Sequence, residues 1–414
     1  MIVRRLLWVA IALLLVAVLA SVGGAAWLLL RDRTVPIRLV AVGPATQMRL
    51  IGGGDDRVLA SDASDANELN FAFPAPAPDG RRLAYVTMDA NGRAIVQLDL
   101  TTGERRELYR SHDDVPFDLA WSPDGRYLVF LVSNAQSLAL QLVPTDGSQP
   151  AQSIVTGNPS YFVWSPDSAT LLVHLSGHSV QNGHLVAYRL DSSHSDTLLS
   201  DPGLFQAPAW SHDGKQFFYA AQPPINKAQP ELEDISSNIV RVNADGKEPT
   251  TLVVEKQAYL WMVRAPNSDR LAYIARALDK SGTAVLKLVD GASGAVRVLS
   301  RPEEHVTAFF WSPDGTRIAY LTHEGAYEAT GPRTWHIIEV DGGAVRDFET
   351  FQPSGAFAGL QVYFDAYTFS LSPWSPDGSR LAYGAENGVY VLDVAAGRAT
   401  KAAEGTLGVW VGGK

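Results

Sequence analysis

Four histidines fall close together in this chain, at His174, His178, His184 and His194. Neutral imidazole is the commonest metal ligand, and such a group across a hairpin could converge on a zinc-type ion. A turn of undefined shape separates them, so no ligand spacing is fixed, and they read as surface histidines. His112-Asp113-Asp114 is acidic enough to hold a cation, but the motif is unspecific and reads as a solvated loop. Gly52-Gly53-Gly54 lacks the Lys-Ser/Thr and the helix of a phosphate-binding loop and reads as a hairpin turn. The nearest string to a serine nucleophile elbow, Gly177-His178-Ser179-Val180-Gln181, lacks the final glycine. There is no cysteine, which excludes disulfides, thiolate zinc sites, iron–sulfur clusters and cysteine nucleophiles. No cofactor, metal or catalytic residue is expected.

The elements that carry these residues announce themselves by repetition. Trp121-Ser122-Pro123-Asp124-Gly125 has close copies at Trp164-Ser165-Pro166-Asp167, Trp210-Ser211-His212-Asp213-Gly214, Trp311-Ser312-Pro313-Asp314-Gly315 and Trp374-Ser375-Pro376-Asp377-Gly378. Pro78-Asp79-Gly80 and Ala265-Pro266-Asn267 are reduced copies. The Asp (Asn267 in one copy) recurs in steps of 45, 43, 46, 54, 47 and 63 residues. Pro presets φ in a type I turn, Asp suits the next position, and Gly accepts the left-handed conformation that follows. An alternating apolar strand comes next, such as Leu83-Ala84-Tyr85 or Leu381-Ala382-Tyr383. About twenty residues on, a second turn such as Asp146-Gly147 or Asp245-Gly246 closes an outer hairpin. Four strands per unit, repeated at this period, predict an all-β propeller. The Trp before each turn is expected to pack between neighbouring blades.

Blade number follows from the chain ends. Ile37–Val42, Gln47–Ile51 and Arg57–Ala60 have the form of three further strands, and Leu407-Gly408-Val409-Trp410-Val411 follows the last complete unit. Joining the two ends in one sheet removes the exposed edges of an open ring. Eight blades are expected, with seven as the alternative.

Residues 6–30 form a 25-residue run without charge, flanked by Arg4 and Arg5 before it and Arg31, Asp32 and Arg33 after it. That length spans a bilayer. Residues 1–33 are therefore expected to be a signal-anchor with a transmembrane helix, and residues 34–414 the propeller domain. A cleavable signal ending at Val18-Leu19-Ala20 is the competing reading; Trp27, suited to a membrane interface, favours retention. A short basic N-terminus stays inside, which places the propeller on the extracytoplasmic, periplasmic side of a bacterial cell membrane. Two of the 34 Lys and Arg residues precede the apolar run, whereas none of the 44 Asp and Glu residues does, so the remainder carries 32 − 44 = −12. An acidic domain without a basic run argues against nucleic acid as a partner.

The Trp-Ser-Pro-Asp-Gly phrase, the Leu-Ala-Tyr strand and the later Asp-Gly turn resemble the TolB-like propeller repeat, a relative of the WD repeat, over about residues 68–404. The resemblance implies the fold more than the function. It departs from TolB in having an apolar segment where TolB has an α/β domain. Prolyl oligopeptidases and dipeptidyl peptidases set similar repeats beside a hydrolase domain, but no Gly-x-Ser-x-Gly elbow is present here, which excludes a serine peptidase.

Loop length points to a binding face. The insertions are residues 222–237, 323–334 and 350–368, and strand order puts all three opposite the Trp-Ser-Pro-Asp-Gly turns. Tyr327 in the second, and Phe351, Phe357, Tyr363, Phe364, Tyr367 and Phe369 in or beside the third, are candidate partner-binding anchors. The same aromatic residues could equally pack on their own blade. The expected function is a non-catalytic protein–protein interaction module, a subunit of another envelope or membrane complex. The alternatives are a metal-dependent lactonase or hydrolase and a small-ligand sensor. A polar catalytic ring would need acidic, Asn or His side chains from several innermost strands. Asp118 is the only obvious charged one, against Ala207-Pro208-Ala209, Phe162-Val163 and Phe309-Phe310.

Overall fold

The turn phrase explains itself in three dimensions. In five copies the buried Ser Oγ (Ser122, Ser165, Ser211, Ser312 and Ser375) donates to the Asp Oδ1 two residues on, at 2.5–2.8 Å. The same Oγ accepts the backbone N–H five residues on, at 2.9–3.0 Å. The Asp Oδ1 accepts the N–H two residues beyond itself at 3.0–3.1 Å. Each buried polar atom of the turn is thus satisfied from within it. In the third copy, hydrogen bonds from Ser165 and from the Ala169 N–H hold the Asp167 carboxyl below the usual carboxylate range. Gly125 follows its Asp at φ +70°; Ser168 takes the same left-handed place at φ +63°, and its Oγ accepts the N–H of Asp124 from the neighbouring blade.

The computed structural model describes residues 35–43, 47–52, 54, 56–60, 74–133, 138–156, 159–175, 183–200, 206–222, 235–279, 281–325, 328, 331–367 and 370–413. The apolar run 6–30, most of the first insertion, Tyr327 and Phe369 lie outside them. Among the described residues no helix is long and apolar enough to cross a membrane.

Eight antiparallel sheets form among the described residues. Blade 1 covers 75–111, blade 2 115–156, blade 3 159–200, blade 4 209–256, blade 5 258–298 and blade 6 306–351. Blade 7 has three strands (380–403), and its innermost position is reduced to a bridge between Trp374 and Leu381. Blade 8 is built from both ends of the chain. Strand Leu407–Val411 lies innermost and pairs antiparallel with Arg38–Val42, Val40 facing Val409 and Leu39 facing Trp410. Strands Met48–Ile51 and Arg57–Ala60 complete it outward. Eight blades with a shared closing sheet match the expectation.

The tryptophans form the seam. Each buried indole N–H reaches a carbonyl of the preceding blade at its innermost position: Trp121 to Ala75, Trp210 to Val163, Trp311 to Val263, Trp374 to Phe310 and Trp410 to Pro373, at 2.9–3.3 Å. An arginine from the preceding blade covers the ring in three of them: Arg82 over Trp121, Arg317 over Trp374 and Arg380 over Trp410, at 4.7–5.0 Å. Trp164 Nε1 is the exception, buried without an acceptor among the described residues. The innermost strand of blade 2, which precedes it, shifts register between Phe117 and Ala120.

Trp410 closes the last seam and tests it. Trp410→Ala is expected to lower unfolding free energy by about 3–5 kcal/mol, whereas Trp410→Phe, which loses chiefly the hydrogen bond, costs about 1 kcal/mol. Urea denaturation followed by circular dichroism measures both; a loss below 1 kcal/mol for the alanine variant would show that the ring does not depend on this joint.

Candidate functional site

Eight blades leave an axial channel, and the third insertion enters it. After the outermost strand of blade 6, Ser354 caps helix α1 (Gly355–Val362), its Oγ accepting Phe357 N–H at 3.2 Å. A short helix α2 (Phe364–Tyr367) follows. Helix α1 lies against the innermost strand of blade 6 and the strand Arg380–Ala385 of blade 7, and α2 lies against the innermost strand of blade 5. Phe357 is buried among Trp335, Phe351 and Tyr383, with ring centres 6.2–6.3 Å apart. Phe364 sits on Phe309 at 5.0 Å and Phe310 at 6.4 Å. Arg333, 1% exposed, donates through Nε to Gln361 Oε1 at 3.0 Å and through Nη1 to the Gly331 carbonyl at 2.8 Å. The insertion is a plug fixed to its own ring.

The plug brings a second carboxylate to the axis. Asp365 of α2 accepts the Ala207 N–H, just before blade 4, on Oδ2 at 3.2 Å; its Oδ1 is buried and unpartnered among the described residues. Asp118, 6% exposed, lies in the bulged innermost strand of blade 2 at φ +50°. A non-glycine residue held there is a strained backbone, which Asp tolerates better than most. Burial pushes the Asp118 carboxyl up to about 7, and the nearby charge of Asp365 adds to it. Burial likewise raises Asp365 to about 6, against the pull of the Ala207 N–H. Two carboxyls enclosed near one another cannot both ionise cheaply, which is why both are raised. Carboxyls raised in this way are the usual raw material of acid–base catalysis. Here neither lines an open cavity.

The aromatic candidates divide. Phe357 and Phe364 are buried and Phe351 is half-buried, all within the plug and its blade. Tyr363, between the two helices, is 49% exposed, and Val362 beside it 48%. Tyr367 ends α2. Strand order puts the end of the outermost strand of blade 6, from which the plug leaves, at the long-loop face. Innermost strands start on that face, where Val115 and Tyr259, at the starts of those of blades 2 and 5, are exposed apolar residues as well.

The histidines do not converge. His174 is buried and bonds the Gln206 carbonyl through Nδ1 at 3.0 Å, and burial lowers its pKa; His184 and His194 are exposed. His178 lies outside the described residues. His112 and Asp113 are exposed, while Asp114 accepts the Tyr109 hydroxyl at 2.7 Å. Among the described residues no three His, Asp or Glu side chains could hold a metal. One hydroxyl–imidazole–carboxylate chain does exist: Thr322 Oγ1 to His336 Nε2 and His336 Nδ1 to Asp347 Oδ1, both 2.8 Å. It stitches three successive strands of blade 6 together, with Thr322 and His336 buried and Asp347 also paired to Arg301 at 2.9 Å. No substrate can reach a hydroxyl so placed, and the chain is structural.

On the opposite face the channel opens as a funnel of about 740 Å³. The six seam tryptophans (Trp121, Trp164, Trp210, Trp311, Trp374 and Trp410) line it under a rim of turn prolines, and Ala366 and Ser370 of the plug line it as well. Among the described residues Arg264 is the one guanidinium in the wall. It occupies the position that tryptophan holds in the complete copies, which the reduced copy Ala265-Pro266-Asn267 already foreshadowed.

No protein-family profile and no curated protein sequence matches the chain. Solved structures do. One from a study of two prolyl endopeptidases is 14% identical, covers 83% of this chain and 50% of its own, and superposes with a TM-score of 0.56. The propeller domain of the Trilobed protease from Pyrococcus furiosus, described as having an open velcro topology, is 15% identical over 82% of this chain and 97% of its own, at 0.50. TolB from Acinetobacter baumannii is 15% identical over 80% and 82%, at 0.44. The chain spans half the length of the endopeptidase. At these identities the likeness establishes the propeller fold and nothing of the activity.

The carboxyl pair predicts a pH dependence. Both groups ionise near pH 4 when unfolded, so between about pH 4 and 7 the folded state binds more protons, and stability falls as pH rises through that window. Asp118→Asn removes one member without changing its shape. The melting temperature of the variant minus that of the wild type is expected to increase from pH 4 to 7; a difference independent of pH would show that the two carboxyls are not coupled to folding.

Proposed function

We propose that the protein is a non-catalytic binding module, anchored by residues 6–30 on the extracytoplasmic side of a bacterial cell membrane, whose long-loop face docks another envelope protein. The observation that carries this reading is the placing of exposed apolar side chains. Val362 and Tyr363 stand exposed at the end of helix α1 and the link to α2, and Val115 and Tyr259 near the starts of the innermost strands of blades 2 and 5. Aromatic residues held on a fixed frame lose little entropy on binding and make effective interface anchors. The buried aromatic residues of the same insertion, Phe357 and Phe364, hold the frame from beneath. Asp118 and Asp365, 6% and 1% exposed, are buried rather than presented to solvent, which supports binding over hydrolysis. The apolar run would confine the module to the membrane plane and raise its effective concentration near membrane partners. The net charge of −12 beyond that run would select against acidic partners.

The test is native-membrane extraction in mild detergent, followed by sizing and mass spectrometry of what travels with the chain. Wild type is expected to co-migrate with defined membrane subunits. Tyr363→Asp combined with Tyr259→Ser should abolish co-migration while shifting stability by no more than about 0.5 kcal/mol for each exposed site. Migration of the wild type as a lone protomer, or unchanged co-migration of the double variant, would refute the reading.

A further inference from the structure

The funnel on the Trp-Ser-Pro-Asp-Gly face is unused by that function, and its wall contains one charge out of place. Arg264 stands in the ring of tryptophans, its Nη1 donating to the carbonyls of Ala265 at 2.7 Å and Ser268 at 3.1 Å. Those two bonds fix the guanidinium and leave most of its donors unspent. No carboxylate pairs with it among the described residues. Asp269, whose charge it feels, is committed through Oδ1 to the His212 N–H at 2.6 Å. The arginines of the other seams behave differently: Arg82, Arg317 and Arg380 cover a tryptophan of the next blade, and Arg82 and Arg317 also bond a turn carbonyl there. Arg264 instead takes the tryptophan's own place and lines the cavity.

A half-buried guanidinium in an apolar wall has lost part of its hydration while only its Nη1 is bonded, and a carboxylate restores that loss through two parallel hydrogen bonds. The rest of the wall offers indole edges, Phe162, Val163 and proline rings, which suit a flat apolar body. The volume of about 740 Å³ is that of a site for a small organic molecule. A domain charge of −12 disfavours polyanions at any surface and leaves a single negative charge as the acceptable case.

We propose that this funnel binds a small monoanionic ligand with a planar apolar body, its carboxylate on Arg264 and its body against the tryptophan ring above Ala366. Neither Val362 nor Tyr363 lines the funnel, so its occupancy does not depend on the docking reading.

Calorimetric titration of the full chain in detergent with biphenyl-4-carboxylate and with the uncharged biphenyl-4-carboxamide tests it. The acid is expected to bind at least tenfold more tightly than the amide, with an advantage that shrinks as salt is raised. Arg264→Met should erase the difference while leaving amide binding unchanged, and Arg264→Lys should retain part of it. Ala366→Leu, which fills the cavity without touching the arginine, should weaken both ligands. Tyr363→Asp should change neither, which separates this site from the docking surface. Equal binding of acid and amide, acid binding unaffected by Arg264→Met, or binding of polypeptides with no binding of either small molecule would overturn the proposal.

Discussion

Closure of the ring is the constraint on which the rest of the structure depends. Each four-stranded sheet is too small to stand alone and buries its faces only against the sheets on either side. A chain of such sheets leaves two unpaired ends unless the last joins the first. Here the C-terminal strand Leu407–Val411 supplies the innermost strand of a sheet whose other three strands come from residues 38–60. The indole of Trp410 then does at the junction what Trp121, Trp210, Trp311 and Trp374 do elsewhere. The seam between blades 7 and 8 is thus made with the same indole-to-carbonyl bond as four of the internal ones.

Closing eight blades rather than fewer has a geometric consequence. The innermost strands cannot meet at the axis, and the space between them must be filled or left wet. This chain fills one end from within, by the insertion between blades 6 and 7. The plug is apolar where it meets blade 6, through Phe364 on Phe309 and Phe310, and polar where it meets blade 4, through Asp365 on the Ala207 N–H. The polar end puts a carboxyl beside Asp118 of blade 2. Enclosing both would be costly if both were charged, and the raised values of the two carboxyls are the mark of that cost.

Repeats made the ring legible, and departures from repetition hid the sites. The period, the seam tryptophans, the shared closing sheet and the isolation of Asp118 among innermost strands can all be read along the chain, because each follows from a register that recurs. The buried serine of each turn recurs as well, and its double hydrogen bond was open to reading as a Ser-x-Asp pattern. Asp365 has no such register. It lies in an insertion, and which strand end it meets depends on how that segment folds back. Aromatic content could not sort Phe357 and Phe364 from Tyr363, because interface anchors and core residues draw on the same residue types; only burial separates them. Arg264 was visible as a break in the phrase, yet a break alone does not tell a worn copy from a replaced one. What tells them apart is that the side chain lines a cavity without a carboxylate partner.

The plug also fixes the relation between the two ends of the channel. Tyr363 stands exposed, and Ala366, three residues on in the same short segment, lines the funnel, which Tyr363 does not. Between them Phe364 and Asp365 are clamped by blade 6 and blade 4. A change at one face can reach the other by displacing this segment, and displacement must uncover Phe364 or separate Asp365 from Ala207. Coupling between two sites requires a part with two arrangements of different affinity. The contacts of Phe364 with Phe309 and Phe310 and of Asp365 with the Ala207 N–H hold the segment, so any such coupling must break one of them.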